Sequence, residues 1–313
     1  MMKSKIEAAL FGLAIGDALG VPVEFESRTY LKENPVTEMF GFGTHHQPTG
    51  TWSDDSSLAF CLTESLCSGY DLKDIARNFV KWYSGNFWTP HGQVFDIGIA
   101  TRHAILNIAK GYQPDLCGGF SESDNGNGSL MRILPLVFYL QNENDIEVVY
   151  QKAKEVSSIT HAHFRSVFAC FIYVVYCLEI LKVKDKFEAY KNMQEAVFEF
   201  LKDKSFNPAE IDLFDRILKN DISKYPENNI HSSGYVLDSL QASFWCFLNS
   251  NSYEEAVLKA VNLGEDTDTT GAITGGLAGI YYGIENIPQK WIDNLVKSND
   301  IKDLAKRLSK KLL

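Results

Sequence analysis

LGEDTDTTGAITGGLAGIYYG, residues 263–283, sets a cluster of carboxylates directly in front of a helix almost free of large side chains. Asp266 and Asp268 alternate with the hydroxyls of Thr267, Thr269 and Thr270, so several hard oxygen donors crowd into a helix start. Behind them Gly271, Gly275 and Gly279 recur every fourth residue, a smooth ridge on which another backbone can lie closely. Glycine and threonine weaken intrinsic helicity, so such a helix depends on tertiary packing. A partner ridge stands near the other end of the chain. Residues 6–19 read as a helix on which Ala8, Gly12 and Gly16 repeat at the same spacing; the two ridges could pack together, the alternative being simply a glycine-rich helix end.

The 313 residues contain no low-complexity linker, and one domain spanning 1–313 is expected. A net charge of -10 and a pI near 5.2 argue against a nucleic-acid footprint and against a polybasic membrane surface. Cys61, Cys67, Cys117, Cys170, Cys177 and Cys246 show neither CxxC nor Cys/His zinc spacing, which points to reduced thiols in a cytoplasmic protein. The amino terminus has no cleavable signal architecture, since Glu7 interrupts it. The most apolar run, residues 166–178, is shorter than the ~20 residues of a membrane span and reads as a buried helix. No segment alternates with period two, so the fold class is all-α.

Between the two ridges the chain carries further polar groups. Gly20 and Pro22 end the first helix and carry Glu24 into a turn. Residues 34–51 are loop-like, and a long irregular segment is more often functional or mobile than filler. Within it, His45 and His46 read as a solvated pair. Ser53 is an expected N-cap with Asp54 and Asp55 in the first helical turn, where the helix dipole favours negative charge. Asp96 precedes a helix whose inward face reads as Ile99, Ala100, His103 and Leu106. Gly126, Asn127, Gly128 and Ser129 read as the start of a short helix stopped near Pro135, its amides a natural anion site. His161 stands at the entrance of the apolar helix, Tyr235 opens another buried helix, and the tail from residue 287 reads as two short surface helices.

Asp-Asp after Ser is by itself most often a helix cap. Two acidic clusters, each beside hydroxyls and each opening a helix, say more. Ser53, Asp54 and Asp55 with Asp266, Asp268 and Thr269 can supply oxygen ligands to a pair of hard cations ~4 Å apart. Four carboxylates at one site repel, and a divalent pair offsets that repulsion. Two Mg²⁺ or Mn²⁺ ions are the expected cofactors, because zinc prefers His and Cys ligands that are missing here.

GLAIGDALG, SDDSS, FDIG, NGSLMR, ITHAHFRS and GEDTDTTGAITGGLAG, in that order and spacing, resemble the ADP-ribosylglycohydrolase family over residues 11–283, with residues 182–227 contributing little. The resemblance implies a single compact orthogonal helical bundle, two Mg²⁺ or Mn²⁺ ions, and cleavage of the glycosidic bond between ADP-ribose and a modified acceptor. Carried over by motif, the metal ligands are Ser53, Asp54, Asp55, Asp266, Asp268 and Thr269. Ser53 and Ser56 stand where the family commonly has Thr, keeping the hydroxyl and losing the stiffening methyl.

FDIG resembles the members that act on arginine-linked ADP-ribose, which implies a catalytic Asp96. Glu24 stands where members acting on serine-linked or O-acyl ADP-ribose carry a catalytic glutamate, and Asp55 is a third candidate. The resemblance also implies the amides of Asn127, Gly128 and Ser129 on ribose or phosphate, His161 near the pyrophosphate, and Tyr235 against adenine. Arg132 is expected to be structural, paired with a carboxylate. The expected activity is metal-dependent release of ADP-ribose from arginine on a protein, by a monomer with no nucleic-acid partner and no membrane span. Hydrolysis of a serine-linked or O-acyl conjugate through Glu24, and a non-catalytic ADP-ribose or nucleotide binder, are the alternatives.

Overall fold

The computed structural model describes residues 2–312. Along them run α1 (Met2–Gly20), α2 (Arg28–Glu33), α3 (Asp54–Leu66), α4 (Leu72–Gly85), α5 (Ile99–Ala109), α6 (Pro135–Tyr139), α7 (Ile146–Ser158) and α8 (Phe164–Lys182). These are followed by α9 (Lys186–Leu201), α10 (Pro208–Asp212), α11 (Asp215–Leu218), α12 (Val236–Leu248), α13 (Tyr253–Val261), α14 (Thr267–Tyr282), α15 (Gln289–Asn294) and α16 (Ser298–Leu312). The fold is all-α: among the described residues extended segments meet only in two isolated bridges, Gly119 with His161 and Gly126 with Tyr235.

α1 and α14 lie antiparallel, backbone against backbone. A Cβ placed on Gly12 would fall on the carbonyl oxygen of Gly275, one on Gly16 on that of Gly271, and one on Gly279 on that of Ala8. The two small-residue ridges therefore meet residue for residue. Carbonyls along the seam find hydroxyl donors: Tyr253 donates to Gly12 at 2.7 Å, Thr267 to Gly20 at 2.8 Å and Tyr173 to Ile273 at 3.0 Å. Residues of α14 from Thr267 to Ile280 are buried, so packing supplies the order that a glycine-rich sequence lacks on its own. At Gly20 the seam ends on the backbone of Asp268, which brings the last turn of α1 onto the first turn of α14.

Elsewhere the pattern holds with corrections. Lys3–Val23 and Phe164–Lys182 are long and apolar enough by length and composition to cross a membrane, the second longer than the run read from sequence. Their apolar windows are 94% and 78% buried inside the bundle, so protein already covers them. The tail forms two helices, but neither is simply a surface helix. Trp291 of α15 is buried, and α16 lays Ile301, Leu304, Ala305 and Leu308 on the core at helical spacing. In α5 the inward face is Thr101, Ala104 and Ile105, while Ile99, His103 and Leu106 are exposed. Apolar residues lie on both faces of that short helix, and periodicity alone picks the wrong one. Residues 126–134 form turns rather than a helix, and Pro135 starts α6 instead of stopping a helix, the one place where its missing amide costs little.

The long segment between α2 and α3 has no regular structure yet is stapled along its length. Asn262 holds both backbone groups of Val36 at 2.8 and 2.9 Å. Thr44 donates its amide to Pro22 at 2.9 Å and its hydroxyl to the Glu24 carbonyl at 2.8 Å. Val296 donates to Gly50 at 3.0 Å, and the Trp52 indole donates to Val296 at 2.9 Å.

Because no side chain fits in the α1/α14 seam, Gly275→Leu is expected to cost about 3 kcal/mol or more, and to weaken divalent-cation binding with it. Gly85→Ala, at a helix end with open space around it, is expected to stay within about 1 kcal/mol of the parent. Thermal unfolding of both variants, with and without Mg²⁺, checks this, and equal shifts for the two would refute the close-packed seam.

Candidate active site

The site is assembled at the end of α1. Asp17, buried on its last turns, accepts from the Ser53 amide at 2.9 and 3.0 Å, from the Ser56 amide at 3.1 Å and from the Ser56 hydroxyl at 2.5 Å. It thereby fixes the start of α3, much as Gly20 fixes the start of α14. Asp17 stands outside the residues expected at the site, although an Asp in the middle of the apolar GLAIGDALG helix is itself a signal that something buried must satisfy it.

Ser53 caps α3 as expected, accepting from the Asp55 amide at 3.2 Å and donating to Asp55 Oδ2 at 3.0 Å. Thr269 Oγ1 donates to the same Asp55 oxygen at 3.3 Å, which joins the two acidic helix starts directly. Asp268 accepts from the Thr269 amide at 2.8 Å, and Asp266 accepts from Asn127 Nδ2 at 2.8 Å.

Asp17, Glu24, Asp54, Asp55, Asp96, Asp266 and Asp268 are gathered here. Among the described residues the ion-pair partner of this group is His45, whose Nε2 bonds Glu24 Oε2. Burial is the largest influence on every one of these carboxyls and pushes its pKa up. Glu24 and Asp17 each rise to about 7, Glu24 through burial with the charges of Asp96 and Asp266 adding to it. Asp54, Asp55 and Asp268 are held well above the ordinary range by burial and then by the charges of neighbouring carboxylates.

Asp55 Oδ1 and Asp266 Oδ1 are buried without a hydrogen-bond partner. Single oxygens of Glu24, Asp266 and Asp268 lie within 4.8 Å of one another, as do ligand atoms of Glu24, His45 and Asp96. Orphaned carboxylate oxygens in a set of hard donors fit a divalent cation.

These groups open onto a cleft of about 270 Å³. Its lining combines Glu24, Asp54, Asp55, Asp96, Asp266 and Thr269 with Asn127, Gly128, Met131 and His161, the first turn of α5, and Ser123 and Asp124. Asp96 has φ 45°, a left-handed conformation that Asp tolerates better than most residues. Gly98 gives α5 no side-chain cap, so the amides of its first turn lack helical partners and suit an anion. His161 Nδ1 pairs with Thr160 Oγ1 at 2.8 Å. Burial and then the charge of Arg132 lower its pKa to about 3, so at neutral pH it offers a hydrogen bond and no charge.

Other expected residues are placed differently. The Asn127 amide is committed to the Gly234 carbonyl at 3.0 Å; its side chain instead bridges Ser239 and Asp266. Gly128 keeps its backbone in the lining, where a Cβ would come within 2.8 Å of the His161 ring. Ser129 is turned into the core, its hydroxyl accepting from Ser157 at 2.9 Å. Tyr235 sits at the N-cap of α12 outside the cleft lining, its hydroxyl accepting from Arg165 at 3.3 Å. Arg132 pairs not with a carboxylate but with the carbonyls of Gly128 and Val156, its guanidinium 4.9 Å from the Phe79 ring centre. His45 is not part of a solvated pair: only His46 is exposed, and His45 reaches Glu24 across a loop that carries no periodic signal.

The family model described as ADP-ribosylglycohydrolase matches residues 1–312. The ADP-ribosylarginine hydrolase Tri1 of Serratia proteamaculans (strain 568) is 32% identical over 309 residues, covering 97% of this chain and 78% of the relative. The ADP-ribosyl-[dinitrogen reductase] glycohydrolase of Rhodospirillum rubrum is 27% identical, covering 92% and 88%. A solved structure described as an ADP-ribosylglycohydrolase-related protein complex matches at a TM-score of 0.81 and 32% identity, over 100% of this chain and 99% of that one. Sequence match and fold match thus extend over the whole length that carries the acidic cleft, and the chain belongs to the ADP-ribosylglycohydrolase family.

Proposed function

We propose that this protein hydrolyses the N-glycosidic bond between ADP-ribose and an arginine side chain of a modified protein. Two Mg²⁺ or Mn²⁺ ions are held by Ser53, Asp54, Asp55, Asp266, Asp268 and Thr269. The observation that carries the reading is the meeting of two acidic helix starts at one cleft, with buried unpartnered oxygens on Asp55 and Asp266. The name of the Serratia proteamaculans relative supports arginine as the linked residue. A cytoplasmic monomer belongs to the same reading, and five of the six cysteines are buried free thiols.

When bound, divalent cations supply charge that orients ribose hydroxyls and lowers the pKa of a water. The chain's own residues do the rest. Departure of the guanidine leaves positive charge at the ribose carbon, which the carboxylates of Asp96 and Glu24 at the cleft stabilise. Asp96, which lines the cleft, takes a proton from the attacking water. His45 fixes Glu24 beside it. The uncapped start of α5 and the neutral His161 receive the diphosphate. A second reading exchanges the two carboxylates, with Glu24 as the base and a serine-linked or O-acyl conjugate as substrate. It is favoured by the burial of Glu24 and its bond to His45.

Incubation with arginine-ADP-ribosylated protein and Mg²⁺ is expected to release ADP-ribose. Asp96→Asn should reduce that release by about 100-fold or more. If Asp96→Asn is near normal while Glu24→Gln is inactive, and serine-linked conjugates are cleaved, the second reading replaces the first.

A pH dependence follows as well. The folded pKa of Glu24 is raised from 4.5, and that of Asp17 from 3.8, to about 7 in each case. Their contribution to stability is therefore full at low pH and is lost as the pH climbs through about 7. Added Mg²⁺ should thus raise Tm, relative to chelator-treated protein, far more at about pH 7.5 than at about pH 5. A Tm gain independent of pH would contradict metal binding by this cluster.

A further inference from the structure

The cleft is acidic, and exposed apolar side chains stand on the segments beside it. Phe25 and Phe42 each leave 69% of their surface exposed, and Ile99, which lines the cleft, leaves 76%. Phe25 and Phe42 also lie in the left-handed backbone region, at φ 70° and 66°, where Gly, Asn or Asp is usual and a bulky side chain is disfavoured. Nothing in the core rewards either ring.

Both rings stand on the segments that carry the candidate catalytic groups. Phe25 follows Glu24 in the chain. Phe42 opens a turn closed by its own amide on Gln47 at 2.7 Å, and Thr44 of that turn is seated on Pro22 and Glu24. His45, bonded to Glu24, has its ring 6.0 Å from that of Phe25 and 5.6 Å from that of Phe95, the neighbour of Asp96. An aromatic ridge therefore runs beside the two carboxylates.

We propose that this ridge, with Phe25 and Phe42 as its outer contacts, docks the polypeptide that carries the modified arginine. The inference rests on the arginine-linked reading above. A cleft of about 270 Å³ leaves no room for a polypeptide beside the ligand, so the acceptor protein stays outside it. The bond to be cleaved must nevertheless reach Glu24 and Asp96. The acceptor chain must then lie against the residues close to them: Phe25 beside Glu24, Phe95 beside Asp96, and Ile99 in the cleft lining. Exposed aromatic rings suit the apolar and aliphatic side chains that flank the modified arginine in the acceptor polypeptide, contacts that a free ADP-ribosylarginine lacks. The stapled backbone beneath the rings makes the surface rigid before binding, so little ordering is needed on contact.

The test compares kcat/KM on an arginine-ADP-ribosylated protein with kcat/KM on free ADP-ribosylarginine, both with Mg²⁺, for the wild type, Phe25→Asn and Phe42→Asn. Asn adopts positive φ readily, so the backbone is spared. Each variant is expected to lose about 10-fold on the protein, mainly through KM, while staying within about 2-fold of the wild type on the free conjugate. The rate on the free conjugate doubles as the control for folding. Equal losses on both substrates, or no loss on either, overturn the docking surface and leave the hydrolase reading standing. A wild type that releases ADP-ribose from neither substrate overturns the arginine-linked reading, and the docking surface with it.

Discussion

Backbone packed on backbone along Gly12–Gly275 and Gly16–Gly271 is the contact on which the rest of the molecule depends. It draws residues from the two ends of the chain into one place and leaves their polar groups little freedom. Asp17 turns from α1 to hold α3, Gly20 abuts Asp268, and the chain leaving α1 delivers Glu24 to the same spot. The consequence is electrostatic crowding. Two like charges about 4 Å apart near a protein surface cost about 4 kcal/mol, and oxygens of Glu24, Asp266 and Asp268 lie within 4.8 Å of one another. Burial first and the neighbouring carboxylates second raise the pKa values of its members, so without cations the cluster favours taking up protons. Close helix packing thus builds the group of carboxylates that could hold a metal ion.

The same crowding shapes how an anionic ligand is received. No lysine or arginine is among the described residues that line the cleft. A diphosphate entering it would meet a neutral imidazole at His161 and the free amides of the first turn of α5 rather than side-chain cations. Arg132, though buried nearby, spends its donors on the carbonyls of Gly128 and Val156 and braces the turn behind the cleft. In the proposed function, positive charge at this site would come chiefly from bound cations, and ligand affinity would follow metal occupancy.

Much of this was legible in the residues because it rests on local, periodic features. Glycine at every fourth position, Ser53 before Asp54 and Asp55, and the acidic-hydroxyl run at the head of α14 each have a short-range physical meaning, and each stands where that meaning puts it. What escaped is what depends on contacts far apart in the chain. His45 lies on an aperiodic loop and meets Glu24 only after the loop is stapled to Pro22. The amide of Asn127 is consumed by Gly234, more than a hundred residues away. The face of α5 was misjudged because its outward Ile99 belongs to the cleft rim, where exposure of an apolar side chain has a use that a hydrophobic pattern cannot express.

Electron paramagnetic resonance during titration of the metal-free protein with Mn²⁺ tests the two-ion site most directly. A shared carboxylate site gives two Mn²⁺ bound per chain and an exchange-coupled signal in place of the resolved hyperfine spectrum of an isolated ion, and Asp268→Asn abolishes the coupling. One Mn²⁺ per chain with the spectrum of an isolated ion, unchanged in Asp268→Asn, would contradict it.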